Sequence, residues 1–250
     1  MVSKAYHIQE SLTVNYDLSK LITGLKFLGT EIIKIASVSE IDRDEPLDYS
    51  IIGSVGTISD WHYHMDIEVP LFDDYPEVFK DYYGRRIRFT NLDSVCSMGT
   101  PPYFVKPASK GRFTPISCFG EKDHTDFIWD TMHLHPMTPV ILQDCVKFVA
   151  EWRVFVLNRK IIDVRQYHGD WDCQPDVGFI TKLPVGDCPY PTYCVDVGKI
   201  SDGTMCVVEC NRADAFGSYG LMPTPYAEMY LSWWNNLLPK LEAEKDNNER

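Results

Sequence analysis

Apolar residues recur at Leu18, Leu21, Ile22, Leu25 and Leu28, the spacing of one helical face. Asp17 precedes this stripe as a helix-start residue, and Gly29 follows it as a stop. The spacing therefore predicts a helix, and residues 31–36 after it read as a strand. Residues 37–48 are mostly polar and read as a loop, residues 49–55 as a second strand, and residues 76–83 as a short helix. Strands alternating with a helix predict a small α/β unit over residues 1–95.

After Pro101-Pro102 the pattern changes to strands and hairpins. Residues 103–107 read as a strand, 108–114 as a loop of small and basic residues, and 140–143 as another strand. Residues 151–156 and 161–167 read as two more, joined across Leu157-Asn-Arg-Lys160. The Pro-, Gly- and Asp-rich run 170–191 reads as a long loop or lid. An aromatic-rich helix over 225–238 should stop at Pro239. The division expected is 1–95, 96–240 and a charged tail, 241–250.

The stretch from Tyr193 to Asn211 carries the strongest local signal. Asp202-Gly203 between alternating apolar runs marks a hairpin. Asp196 falls on its first strand, Glu209 and Asn211 on its second. Side chains alternate along a strand, so Glu209 and Asn211 share a face. Two carboxylates brought together without a cation repel at a cost of about 1 kcal/mol or more. With the amide oxygen of Asn211 they form a donor set suited to Mg²⁺ held together with phosphates. Taken singly, Asp196 also reads as an edge carboxylate and Glu209-Cys-Asn211 as a solvent-facing strand.

Composition narrows the function classes. The chain has 250 residues, 44% of them hydrophobic, enough for one large domain or two small ones. A net charge of −12 argues against broad nucleic-acid or membrane-surface binding. The one basic cluster, Arg85-Arg86-Ile87-Arg88, reads as a solvated edge or a local anion site. No apolar run approaches the ~20 residues of a membrane span, and the first residues lack the apolar core of a signal peptide. The expectation is a cytoplasmic protein whose eight cysteines stay reduced. No Cys-x-x-Cys pair suggests zinc. His62-Tyr-His64 and His133-Leu-His135 each place two imidazoles on one face if they are strands, but neither has a third ligand at metal spacing.

Other residues add to the picture only in combination. Lys106 ends a strand before a loop with Lys110 and Arg112. These cations suit phosphate oxygens, or Lys106 is a strand-edge lysine that deters aggregation. Gln143, Asp144 and Val146 form a polar link whose backbone groups suit an adenine edge. Glu151 and Arg153 share a face, one suited to ribose hydroxyls and the other to phosphate or developing charge. The plainer reading is a surface ion pair between them. A two-residue turn at Asn158-Arg159 sets Gln166 opposite Glu151 and Arg165 beside Trp152.

In this order and spacing the segments resemble the ATP-grasp superfamily. The strand Phe104-Val-Lys106, the loop to Thr114, the hinge 142–146, Glu151, Asp196 and Glu209-Cys-Asn211 correspond to its motifs. The likeness is closest to a clade frequent in phages and bacteria. That clade has Val-Lys-Pro, Lys-x-Phe-Thr and Glu-aromatic-Arg, although the loop here is one residue longer. The chain is also similar to an ATP-grasp assembly factor for a eukaryotic translation initiation factor, which shares the Glu-aromatic-Arg strand and a following Gln like Gln166. The resemblance covers about residues 100–222 and matches the first 95 only loosely.

The resemblance implies an α+β fold in which two subdomains grip ATP, preceded by the small α/β unit. It implies Lys106 on phosphate; Lys110, Gln143, Asp144, Val146, Glu151 and Gln166 around the nucleotide; and Asp196, Glu209 and Asn211 on Mg²⁺. Arg153 would face developing charge, and residues 213–219 would meet the acceptor. A carboxylate would become an acylphosphate that an amine attacks, with amino-acid or peptide-like substrates. One departure is the missing Gly-Gly pair after Lys106, which shifts the expected lid toward residues 170–191. An ATP-holding assembly factor without ligase activity and a phosphotransferase acting on a hydroxyl are the alternative readings.

Overall fold

The computed structural model describes residues 2–8, 16–68, 72–98, 101–109 and 112–248, with residues 244–248 as backbone alone. The chain opens with β1 (Lys4–Ile8), α1 (Tyr16–Phe27), β2 (Glu31–Ile35), β3 (Tyr49–Ile52) and α2 (Val55–Met65). A 3₁₀ helix at Glu77–Tyr82 leads to β4 (Ile87–Asn91), α3 (Leu92–Met98), β5 (Tyr103–Pro107), β6 (Ile116–Cys118), α4 (Glu121–Thr131) and β7 (Pro139–Gln143). Then come β8 (Phe148–Leu157), β9 (Lys160–Gly169), α5 (Val177–Thr181), β10 (Tyr193–Ile200), β11 (Met205–Asn211) and α6 (Pro223–Asn248).

Among the described residues these strands form three sheets. One is parallel in the order β2-β1-β3; two are antiparallel, β4-β7-β5-β6 and β11-β10-β8-β9. This is the expected α+β arrangement of two subdomains behind a small α/β unit. The unit holds β1 and α2 beyond its predicted elements but ends before residue 95, because β4 and α3 belong to the β4-β7-β5-β6 sheet and its helices. A reciprocal cap starts α2: the Ser54 hydroxyl accepts from the Thr57 amide, and the Thr57 hydroxyl accepts from the Ser54 amide. Asp66 in the left-handed region, φ 56°, ends it.

The two His pairs are therefore not on strands. His62 and His64 lie on α2, about 200° apart around the axis, and cannot share a ligand. His133 and His135 lie in the turns between α4 and β7.

Three apolar clusters hold the layers. The first joins both ends of the chain: Ala5, Tyr49 and Ile51 of the parallel sheet pack with Trp61 of α2 and with Tyr230, Trp234 and Leu241 of α6. Trp61 and Trp234 meet edge to face at 5.5 Å. Burial of Leu241 explains why α6 continues past Pro239 to Asn248 instead of stopping there. The gain offsets the hydrogen bond that proline removes. The second cluster lies under one face of the β11-β10-β8-β9 sheet, and the third lies between the β4-β7-β5-β6 sheet and helices α3 and α4.

His62 is wholly buried against Trp61, their rings 4.8 Å apart. Burial, followed by the charge of Arg212, holds its pKa down to about 4 from an ordinary 6.5. As pH falls through this window, the unfolded chain takes up a proton that the native state refuses. Stability present above pH 6.5 should therefore decline toward pH 4, by about 1.4 kcal/mol per unit. Urea unfolding at pH 7 and pH 5 reads this out, and His62→Leu should lose most of the difference. An equal difference in the variant would assign the effect to other groups.

Candidate functional site

The hairpin forms as its sequence predicts. Gly203 takes φ +92° in the turn, and Asp202 accepts from the Thr204 amide at 2.8 Å. Asp196 lies opposite Glu209 on β11 and opposite Arg153 on β8; Asn211 lies opposite Cys194, and Glu151 opposite Gly198. These pairings set Glu151, Arg153, Asp196, Glu209 and Asn211 on one face of the sheet. Trp152, Val154, Val195 and Val197 fill the other face. That far side also receives Ile180, Leu183 and Cys188. The run from α5 to Cys188 thus packs behind the sheet, which corrects the expectation that residues 170–191 cover the site; Tyr190, near its end, stacks on Phe72 instead.

Lys106 reaches the same place from β5. Its Nζ donates to Glu209 Oε2 at 2.6 Å and to Asp74 Oδ2 at 2.9 Å, and it sits 4.8 Å from the centre of the Tyr75 ring. Asn211 Nδ2 donates to Asp196 Oδ2 at 3.0 Å and to Glu209 Oε1 at 3.3 Å. Arg153 grips Asp196 with two bonds, Nε to Oδ1 at 2.8 Å and Nη2 to Oδ2 at 2.7 Å. The guanidinium lies 4.7 Å over the Tyr219 ring, which stacks on Tyr167 at 4.7 Å. The Tyr167 hydroxyl donates to Glu151 Oε2 at 2.7 Å. Polar and aromatic contacts thus run without a break from Asp74 to Glu151.

Charge and burial oppose each other throughout this chain of contacts. Burial works against the Lys106 ammonium, yet Glu209, Tyr75 and Asp74 hold its pKa above the ordinary lysine value. Burial pushes the Asp196 carboxyl up, and the Arg153 guanidinium counters it. Burial also raises the Tyr167 phenol, reinforced by Asp196 and Glu151. Asp196 and Arg153 are 3% and 6% exposed, so this ion pair is effectively dry.

Several expected neighbours stand elsewhere. Gln166 faces Trp152, not Glu151, and its amide donates to the carbonyls of His168 and Asp170. Arg165 faces Arg153. The turn at Asn158-Arg159 is the predicted two-residue one, with φ 47° and 66°. Register shifts at Phe155/Val156 and Glu151/Trp152 then move β9 along, and Tyr167 reaches Glu151 instead. Arg153 pairs with Asp196 rather than Glu151, which removes the surface-pair reading.

Gln143 is buried. Its Nε2 donates to the Tyr75 hydroxyl at 2.6 Å, and its Oε1 accepts from Arg85 Nε at 2.8 Å. Arg85 also donates to the carbonyls of Val207 and Val208, so it ties β7 to β11 and is no solvated edge. Asp144 is engaged by Arg86, and Val146 is half-buried in the link between β7 and β8. Lys110 lies outside the described residues. Asp74, Tyr75 and Tyr167 join the site unpredicted, their only signal being aromatic and acidic residues in segments read as loop or strand end; Tyr219 lies in the 213–219 loop expected to meet the acceptor.

Asp196, Glu209 and Asn211 stand on one face, two carboxylates and an amide of the residue types Mg²⁺ takes together with phosphates; here the Asn211 Nδ2 faces both acids, and its oxygen would have to turn toward an ion. The donor set fits that ion. In this arrangement Lys106 and Arg153 provide the positive charge between the acids.

The family model described as ATP-grasp domain, R-2-K clade family 2, matches residues 82–229, more than half of the chain. No curated protein sequence matches. Among solved structures, a RimK domain ATP-grasp protein from Sphaerobacter thermophilus is similar, at 14% identity and TM-score 0.60, over 93% of this chain and 99% of that one. The D-alanine–D-alanine ligase from Bacillus anthracis is similar at 10% identity and TM-score 0.58, over 96% and 99% of the two chains. The ATP-grasp ligase PsnB, complexed with a minimal precursor, is similar at 11% and 0.55, over 93% and 99%. At these identities the likeness is one of fold.

Proposed function

The chain belongs to the ATP-grasp domain family, in family 2 of its R-2-K clade, and from that premise we propose an ATP- and Mg²⁺-dependent ligase that joins a carboxylate to an amine. In this reading a substrate carboxylate oxygen attacks the γ-phosphorus of ATP and ADP leaves. The amine then attacks the acyl carbon, phosphate leaves, and an amide is formed. Lys106 binds phosphate oxygens. Asp196, Glu209 and Asn211 hold Mg²⁺, which neutralises phosphate charge. Glu151 takes ribose hydroxyls, and Arg153, steadied by Tyr219, faces the charge that develops on the transferred group. The link 143–146 lies along the adenine.

The observation that supports this most is the convergence of Lys106 and the acid–amide triad from two separate sheets. A cation and hard-oxygen donors sharing one carboxylate are what a Mg–nucleotide complex requires on its two sides. Amino acids or short peptides are the substrate class proposed. PsnB with its precursor and D-alanine–D-alanine ligase, both similar in fold, agree with that choice.

The test is a panel of amino acids and short peptides incubated with the protein, ATP and Mg²⁺, followed for ADP and for product mass. An acceptor-dependent ADP signal with a condensed product supports the ligase. A product heavier by a phosphoryl group would instead mark a phosphotransferase. Tight ATP binding with silence across the panel would mark a nucleotide-holding assembly factor.

A further inference from the structure

A cavity of about 310 Å³ lies between the β4-β7-β5-β6 sheet and the segment entering the 3₁₀ helix. Phe89 and Ile141, cross-strand partners on β4 and β7, form one wall. Phe72 and Tyr190 form another, their rings stacked at 4.3 Å. Asp73, Asp74 and Ala108 complete it, and no lysine or arginine is among the described residues that line it. Apolar walls with a few placed polar groups are the usual make-up of a small-molecule pocket, and this volume sits at the lower end of the usual range.

The walls are held in place. The Asp73 amide donates to the Tyr190 hydroxyl at 2.8 Å, and Asp73 Oδ1 accepts from the Tyr75 amide at 2.8 Å. The Asp74 carbonyl accepts from the Cys210 amide at 2.8 Å, which pins the segment to the edge of β11. The Asp74 carboxylate lies 2.9 Å from Lys106 Nζ. The cavity therefore adjoins the lysine assigned above to phosphate, on the side that carries negative charge. A cation is favoured there by both aspartates.

We propose that this pocket binds the primary amine of the acceptor substrate as its ammonium ion, held by Asp73 and Asp74 beside the Phe72–Tyr190 stack. The inference rests on the ligase reading for the word acceptor, but the binding itself does not. An amine nucleophile must arrive close to the phosphorylated carboxylate, and the contact of Asp74 with Lys106 supplies that proximity. When phosphates draw Lys106 away, Asp74 gains capacity for the ammonium, so nucleotide and amine should bind cooperatively.

The test uses n-butylammonium as probe, with n-butanol and n-butyrate as shape-matched controls, read by saturation-transfer NMR with and without a non-hydrolysable ATP analogue and Mg²⁺. The wild-type protein should bind n-butylammonium saturably and in preference to both controls. Asp73→Asn, which retains an oxygen for the Tyr75 amide, should weaken it about fivefold while leaving nucleotide affinity unchanged. Tyr190→Leu should weaken it too. Equal binding of n-butanol, or an unchanged affinity in Asp73→Asn, overturns the proposal. If n-butylammonium binds as expected but no amine yields ADP, the pocket stands and the ligase reading falls. If amines do drive ADP release, with an amine KM unaffected by Asp73→Asn, the pocket assignment falls and the ligase reading stands.

Discussion

Glu209→Gln should lower acceptor-dependent ADP release by at least about a hundredfold, the scale seen when a site loses one preorganised charge contact. Glu209 sits where the two sheets meet, taking Lys106 at 2.6 Å on one oxygen and Asn211 at 3.3 Å on the other. Glutamine keeps the shape of the side chain and one oxygen for Lys106, so folding should change little. What it removes is the negative charge that a Mg²⁺ ligand needs. The Mg²⁺ concentration for half-maximal rate should rise along with the loss of turnover. Thermal unfolding of the variant checks that the protein is intact, and a coupled ADP assay under Mg²⁺ titration reads the effect. Turnover at the wild-type rate would remove Glu209 from the metal set.

Asp196→Ala should destabilise the fold by about 3–5 kcal/mol, because it strands the buried Arg153 cation. Both oxygens of Asp196 are committed, to Arg153 at 2.8 and 2.7 Å and to Asn211 at 3.0 Å. A surface pair would cost about 1 kcal/mol or less, so the magnitude discriminates between the two situations. Replacing both partners with apolar residues, Arg153→Met with Asp196→Leu, should return stability to within about 1 kcal/mol of the wild type, since no charge then remains in the dry site. Urea denaturation of the three proteins closes the comparison. A single variant that loses less than about 1 kcal/mol would mean that water reaches the pair. The double variant should be inactive whatever its stability, because the same groups are assigned to metal and phosphate chemistry.

The hairpin around Asp202-Gly203 was readable because its turn and its alternation agree, and Lys106 because a strand and its loop flank it. The register of β9 was not. Alternation assumes an unbroken two-residue period, and the irregularities at Phe155/Val156 and Glu151/Trp152 break it twice, which puts Tyr167 where Gln166 was expected. No local residue type announces such a shift. Helix α2 did leave a trace: Ser54 and Thr57 form its cap, and Ile58, Trp61 and Met65 are its apolar stripe. His62 and His64 lie among those apolar positions and dilute the stripe. Helix α4 buries His124, Phe127 and Thr131, two of them polar, a face therefore faint to any apolar periodicity. Asp74 and Arg85 could not be placed at all, because their partners lie far along the chain and depend on how the sheets meet.

The pairing of α6 with the N-terminal unit has a consequence for synthesis. Ala5, Tyr49, Ile51 and Trp61 are made well before Tyr230, Trp234 and Leu241, which cover them. Until α6 emerges the parallel sheet therefore shows bare apolar surface. The two antiparallel sheets can form in the meantime from neighbouring strands. The parallel-sheet unit should thus mature after the two antiparallel sheets although it is made before them, which makes the nascent chain a natural client for a holding chaperone until α6 docks.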